Sequence, residues 1–333
     1  MTARQRLGID IGGTKTAAAL VAEDGSVCAL RSAPSGRGPA GVVDVAVRLA
    51  HEVLASVASD VDGGPPRVES VGACMPGLVD PASGLVRHAV NLQVDSLALG
   101  PELAGRLGTP VWVENDVKAA ALGAWRLRSG VGSGMGFGVG STEHESLAYL
   151  NLGTGLASAV VRDGVAVRGI DGAAGEIGHL PVGGDAPCTC GQVGCLETVA
   201  SGSALARLWP ETRRLARDPF VAAAAGDLSA AAAVDVLCTG VGLAVQVLAL
   251  ASGAERVVIG GGLAALGQPL LRGIRGDLRR RARSARLLEA LGLPDRVDLL
   301  PADVPVAALG AAWLGPASRL SGGVDEAPMG RVG

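Results

Sequence analysis

Strand-length apolar runs broken by glycine turns open the chain. Residues 6–11, Arg-Leu-Gly-Ile-Asp-Ile, read as a strand, and residues 12–15, Gly-Gly-Thr-Lys, as its turn. Residues 16–21 return as a second strand, and residues 27–31 form a third after the Asp24-Gly25 turn. Apolar positions at helical spacing then predict a helix over 42–58. A buried strand follows at 68–74, ending in Met75-Pro76-Gly77, then a short helix at 97–107 and a strand at 110–113. Asn115 or Asp116 can cap a further helix that runs to about residue 126.

After a Gly/Ser-rich break at 129–141 the pattern starts again. A strand at 146–152, the turn Gly153-Thr154-Gly155 and a strand at 156–161 repeat the opening segment. Ile9-Asp10-Ile11-Gly12-Gly13-Thr14 and Leu150-Asn151-Leu152-Gly153-Thr154-Gly155 share one plan, a strand, a glycine turn and a threonine. Helices at 231–251 and 269–285 flank a strand at 257–259, and a last helix begins near Val306. Two similar halves, each opening with a glycine-tipped hairpin, predict a duplicated α/β fold with a cleft between the halves.

The 333 residues are enough for two domains with ample core. With 48% hydrophobic residues but only 2% aromatics, that core must be built from Ala, Val and Leu. A net charge of -3 provides no general attraction for nucleic acid. The run Arg279-Arg280-Arg281-Ala282-Arg283 reads as the solvated face of a helix. No apolar run is expected to cross a membrane; residues 241–251 are too short and contain Gln246. Without a signal segment and with free thiols, the expected compartment is the cytoplasm. Residues 318–333, rich in Gly, Ser and Pro, read as a disordered tail.

The densest chemistry lies between Gly175 and Glu197. Cys188, Cys190 and Cys195 crowd into eight residues, and His179 stands nine residues upstream. Three thiolates and one imidazole complete a closed tetrahedral structural zinc site. Cys188 and Cys190 are too close for an easy disulfide, and Gly191, Gln192 and Gly194 do not resemble a core segment. Cys28, Cys74 and Cys238 lie in apolar stretches and read as small core residues. Glu176 and Glu197 are carboxylates the zinc does not need, suited to the wall of a polyol site.

Glycine hairpins at strand ends expose backbone N–H groups that can cradle phosphate oxygens. Gly12, Gly13 and Thr14 on one side and Gly153, Thr154 and Gly155 on the other can hold a nucleotide's phosphates between them. Asp10 is placed to orient Mg2+ or its waters, and Lys15 to meet a phosphate. The cluster Gly260-Gly261-Gly262 ends a strand, either to let an adenosine lie close or as a tight turn. Asp116, in Glu114-Asn115-Asp116, is either a general base for a sugar hydroxyl or part of a helix cap.

Jointly and in order, these motifs resemble the ROK family of sugar kinases and related repressors, in the actin/hexokinase-like superfamily. The likeness runs from about Leu7 to Trp313 and includes residues 72–80 (Gly-Ala-Cys-Met-Pro-Gly-Leu-Val-Asp) and Asn91-Leu92. It implies two ribonuclease-H-like domains around a central cleft, with boundaries at 1–118 and 119–317; the last helix is expected to pack back on the first domain. It also implies ATP with Mg2+ as donor and Asp116 as catalytic base. Asn91, Asn115, Asp116, Glu176, His179 and Glu197 would contact the sugar. His179 would serve zinc through one ring nitrogen and sugar through the other. The implied reaction is transfer of the γ-phosphoryl group to the 6-hydroxyl of a hexose, with closure excluding water. Glucose comes first and N-acetylglucosamine second, with N-acetylmannosamine, fructose and allose further alternatives. Polyphosphate as donor is disfavoured by the lack of a basic lane. Family members are often dimers or tetramers, so a homo-oligomer is expected, with no nucleic acid or membrane partner.

Departures from the family pattern are Lys118 where Asn is frequent, Trp125 near a frequent Glu, Asn151 where Thr or Val is usual, and the polar stretch 138–145. Lys118 either points to solvent or reaches a phosphate or a substituted sugar. The competing readings are a sugar-responsive regulator and a catalytically weak sugar-binding protein. Family repressors carry an added amino-terminal helix-turn-helix; here the phosphate hairpin begins by residue 10, and the charge balance does not favour DNA.

Overall fold

The computed structural model describes residues 4–57, 68–128, 146–211, 217–301 and 303–315. The expected break at 129–141, the polar stretch 138–145 and the tail 318–333 lie outside the described residues.

The chain starts with β1 (Gln5–Ile11), β2 (Lys15–Ala22) and β3 (Val27–Pro34), followed by helix α1 (Gly38–Val57) and β4 (Val68–Met75). A small antiparallel sheet comes next, β5 (Leu78–Asp80), β6 (Leu85–Ala89) and β7 (Val94–Leu97). Helix α2 (Leu99–Leu107), β8 (Val111–Asn115) and α3 (Asp116–Arg128) complete the first half. The second half has β9 (Ser146–Leu152), β10 (Leu156–Arg162) and β11 (Val165–Ala166), then α4 (Gly202–Leu208), α5 (Pro219–Ala224), α6 (Leu228–Ser252), β12 (Arg256–Gly260), α7 (Gly267–Arg283), α8 (Arg286–Leu291), β13 (Val297–Leu299) and α9 (Val306–Ala312).

The duplication is plain in the sheets. The first has strand order β3-β2-β1-β4-β8 and the second β11-β10-β9-β12-β13. In each, the opening strand pairs antiparallel with the next strand and parallel with a later one. The parallel pairings require crossover helices, which α1 and α6 supply. Val42, Val43, Ala46, Val47, Leu49, Ala50 and Val53 recur at helical spacing and bury one face of α1 on the first sheet.

Helices α3 and α9 share a third cluster between the sheets, with Ala19 and Val21 from one side and Leu147, Tyr149 and Val161 from the other. The backbones meet closely there. A Cβ on Gly8 would strike the Ala308 carbonyl, one on Gly72 the Ala311 carbonyl, and one on Gly310 the Ala119 carbonyl. Only glycine permits such approach, so the last helix lies directly on the first sheet.

Several local expectations change. Residues 241–251 are the second half of α6, a 25-residue helix long and apolar enough, by length and composition, to cross a membrane. Its buried face, including Leu237, Val241 and Val245, packs with Leu150, Ile259 and Ile274, as a core helix does. Leu97 closes β7, and α2 starts two residues later. Cys74 and Cys238 are buried, but Cys28 is exposed on β3. The basic run on α7 is solvated only in part: Arg280 and Arg281 both pair with the buried Asp277.

Candidate active site

The two hairpins close alike. The Gly12 amide donates to the Lys15 carbonyl at 3.0 Å, and the Gly153 amide to the Gly155 carbonyl at 3.1 Å. They face a cleft with two cavities. One, of about 430 Å³, is lined by Asp10, Gly12, Lys15, Asp116, Tyr149, Asn151 and the 260–262 glycines. The other, of about 590 Å³, is lined by Gly12, Thr14, Asn151, Gly153, Thr154, Ser203, Gly261 and Gly262. The three glycine clusters therefore converge on one cleft. Two of the 260–262 glycines also answer to protein side chains. A Cβ on Gly260 would strike the Tyr149 hydroxyl, and one on Gly261, at φ 85, would lie 2.7 Å from Asn151 Oδ1.

Asp10, one residue before the end of β1, lines the first cavity. Burial and then the Asp116 charge push its carboxyl up to about 7, against the Cys74 thiol and Lys15. Cys74 Sγ lies 3.7 Å from Asp10 Oδ1. Asp116 starts α3, and burial pushes it up to about 6, opposed by the Val117 amide and Lys118 and reinforced by Glu176. The capping is shared. Asn115 Oδ1 accepts from the amides of Val117 at 3.0 Å and Lys118 at 3.2 Å, and Asp116 Oδ1 accepts from Val117 at 3.0 Å. Asn115 caps the helix, which leaves the other Asp116 oxygen without a capping task.

Glu114 and Lys118 turn inward. Glu114 is 2% exposed; its Oε1 accepts from the Asn115 amide at 2.9 Å, while Arg168 holds Oε2. Lys118, 3% exposed, donates from Nζ to the Gly172 carbonyl at 2.8 Å. Its side chain thus reaches the loop before Glu176 instead of solvent, and burial lowers its pKa. Asn115 Nδ2 donates to the Gly77 carbonyl at 3.2 Å, joining the site to the turn before β5. Asn91 sits in a short 3-10 turn, Val90–Leu92, against the first hairpin: a Cβ on Gly13 would lie 3.2 Å from Asn91 Cβ. On the second hairpin, a Cβ on Gly155 would lie 2.9 Å from Glu197 Oε2.

The ligand atoms of His179, Cys188, Cys190 and Cys195 all lie within 4.8 Å of one another. Cys190 and Cys195 sulfurs are 3.6 Å apart, as are Cys188 Sγ and His179 Nδ1. A tetrahedral zinc with bonds of about 2.0–2.3 Å has ligand–ligand edges of roughly 3.5–3.8 Å, so the donor set fits that ion. Nδ1 faces the sulfurs, which leaves Nε2 for another partner. Glu197 Oε1, 3.0 Å from Cys188 Sγ and 3.8 Å from His179 Nδ1, lies nearer the cluster than a carboxylate reserved for sugar would. Amide and side-chain donors of Gln192 hold the Cys190 thiol down to about 6, poised as a thiolate.

Sequence reasoning missed Tyr149 and Arg168. Tyr149 is the chain's one tyrosine, and burial in the cleft wall raises its phenol pKa. Its strand position signalled a core residue. Arg168 lies 54 residues from Glu114, beyond the reach of any local pattern.

Paired glycine hairpins, one on each of two duplicated domains, with acids between them, define a phosphotransferase cleft of the actin/hexokinase-like type. Residues 6–314 match the ROK family, and the chain belongs to it. A glucokinase of Halalkalibacterium halodurans is 32% identical over 297 residues, covering 83% of this chain and 85% of that one. An N-acetylmannosamine kinase of Citrobacter koseri is 29% identical over 266 residues, covering 77% and 82%. The ROK glucokinase of Streptomyces griseus, solved in complex with glucose and AMPPNP, superposes with a TM-score of 0.70 at 29% identity, covering 92% of this chain and 98% of that one.

Proposed function

We propose that this sugar kinase transfers the terminal phosphoryl group of ATP to the 6-hydroxyl of a hexose, with glucose as first substrate. The observation that carries the reading is the placement of Asp116. Its carboxylate lies at the start of α3, in the same cavity as Asp10, Lys15 and the glycines of both halves. A pKa near 6 leaves it ionised at neutral pH and able to take the hydroxyl proton as that oxygen attacks phosphorus. Both hairpins offer amides to the phosphates, and Lys15 adds a positive charge. Mg2+ accompanying the nucleotide would neutralise phosphate charge, with Asp10 as the side chain to hold it or its waters.

Asn91, Asn115, Glu176, His179 and Glu197 form the sugar side of the cleft in this reading. Zinc on His179, Cys188, Cys190 and Cys195 is structural: four protein ligands leave it no open position. Held by that ion through Nδ1, the His179 ring would be fixed with Nε2 left to meet a sugar hydroxyl. The cleft runs between a unit ending near residue 118 and one from 119 onward, with α3 shared between them. A regulator does not need this assembly of base and phosphate hairpins.

An N-acetylhexosamine is the second reading, favoured by the Citrobacter koseri relative. Coupled ADP release with ATP and Mg2+ across glucose, N-acetylglucosamine, N-acetylmannosamine, fructose, mannose and allose decides between the two. Turnover led by glucose supports the first reading and turnover led by an acetamido sugar the second. No turnover with any sugar, from zinc-loaded protein, would overturn the kinase assignment.

A further inference from the structure

Asp10 and Asn151 occupy equivalent places in the two sheets. Asp10 sits on β1 opposite Ala17 of β2 and beside Cys74 of β4. Asn151 sits on β9 opposite Ala157 of β10 and beside Gly260 of β12. Each stands two residues before the first glycine of its hairpin. The duplication thus places one acid and one amide on opposite sides of the phosphate cleft.

Asn151 lines both cavities, a position it shares with Gly12, Gly261 and Gly262. The backbone around its amide is bare. A Cβ on Gly153 would lie 3.6 Å from Nδ2, and one on Gly261 would crowd Oδ1 at 2.7 Å. No hydrogen bond from its carboxamide to another described residue appears, and Asn151 lines both cavities, so its amide is available to a ligand in the cleft. The opposite wall already carries Asp10 and Asp116, each pushed up by burial, with Asp10 raised further by Asp116. A third carboxylate would add repulsion for an incoming phosphate, whereas an amide brings two donors and no charge.

We infer that Asn151 is a catalytic residue of the phosphoryl transfer, its Nδ2 donating a hydrogen bond to an oxygen of the nucleotide's terminal phosphoryl group from the side opposite Asp10. The inference rests on the phosphotransfer reading above. A fixed donor aimed at charge that shifts in the transition state acts on turnover more than on ground-state binding. The same contact separates nucleotides that carry a terminal phosphoryl group from those that lack it.

The test compares wild-type protein with Asn151→Leu, Asn151→Asp and Asn151→Ser. AMPPNP and ADP binding are measured by calorimetry, and kcat and KM by coupled assay. Asn151→Leu should weaken AMPPNP about tenfold or more while leaving ADP within about twofold. It should lower kcat about 100-fold with the sugar KM unchanged. Asn151→Asp should fall further, and Asn151→Ser, which keeps a small neutral donor and disturbs packing least, should recover part of the loss. Equal weakening of AMPPNP and ADP, or no change in either with kcat retained, would overturn the inference. If the wild-type protein phosphorylates no sugar but Asn151→Leu still weakens AMPPNP and spares ADP, the kinase reading falls and the contact to the terminal phosphoryl group stands.

Discussion

Arg168 holds Glu114 with two nitrogens, Nε and Nη2, each 2.7 Å from the same oxygen, Oε2. The pair is buried, at 15% and 2% side-chain exposure, and bridges the β8 end to the loop after β11. Glu114 also accepts the Asn115 amide, so the ion pair steadies the residues next to Asp116, the proposed base. Arg168→Met should leave a buried charge without a partner and cost about 3–5 kcal/mol. Thermal unfolding should show the loss, and adding Glu114→Gln to the same chain should restore part of it. An additive double variant would mean that the two side chains do not act as a pair.

Asp116→Asn keeps the acceptor that Val117 uses and removes the base. Turnover should fall about 10²–10⁴-fold with sugar KM changed only a few-fold. In the wild-type protein, kcat/KM should decline with falling pH as Asp116 is protonated through about 6. A flat profile down to about pH 5 would remove Asp116 from the role of base.

Asp10 couples function to instability. Its folded pKa of about 7 lies above the ordinary 3.8, so the folded chain holds the proton more tightly than the unfolded chain does. The stability this confers is full below 3.8 and is lost as pH rises through about 7. Above that range the buried carboxylate is a burden. Without nucleotide, Asp10→Asn should therefore stabilise the fold at about pH 8 by on the order of 2 kcal/mol, seen as a higher unfolding temperature, and change stability little below about pH 4. The same variant should lose turnover. A lower unfolding temperature at the higher pH would show that the carboxylate is not strained there.

Cys190→Ser should lose zinc by metal analysis and weaken sugar binding more than ATP binding. Glu197, whose Oε1 lies 3.0 Å from Cys188 Sγ, also stands against Gly155 of the second hairpin. Unchanged metal content would remove Cys190 from the ligand set.

The parts of this molecule written in local pattern were legible in sequence. The β1–β2 and β9–β10 hairpins announce themselves by strand, glycine turn and strand, and β9 falls on the residues expected, Ser146–Leu152. His179, Cys188, Cys190 and Cys195, grouped by their spacing, have their donor atoms within 4.8 Å of one another. The small sheet of β5, β6 and β7 escaped because its strands are three to five residues long, His88 within β6 takes a positive φ, and the β6–β7 turn uses Gln93 at positive φ instead of glycine. Lys118 escaped because nothing local says that a lysine one turn into a helix will find the Gly172 carbonyl 54 residues later. Asn115 and Asp116 stayed ambiguous because both can cap; the geometry assigns most of the capping to Asn115. Gly8 and Gly72 lie in predicted strands and Gly310 in the predicted last helix, and nothing in those local patterns says that their backbones meet.

That glycine-lined seam sets an order of events during synthesis. Strand β1 leaves the ribosome almost 300 residues ahead of α9, which covers it. Until residues 306–312 emerge, the back of the first sheet has no permanent cover. The amino-terminal half must wait, part-finished, for the far end of its own chain. Cutting the chain before α9 should therefore damage the half that contains Asp10 more than the half that α6 organises.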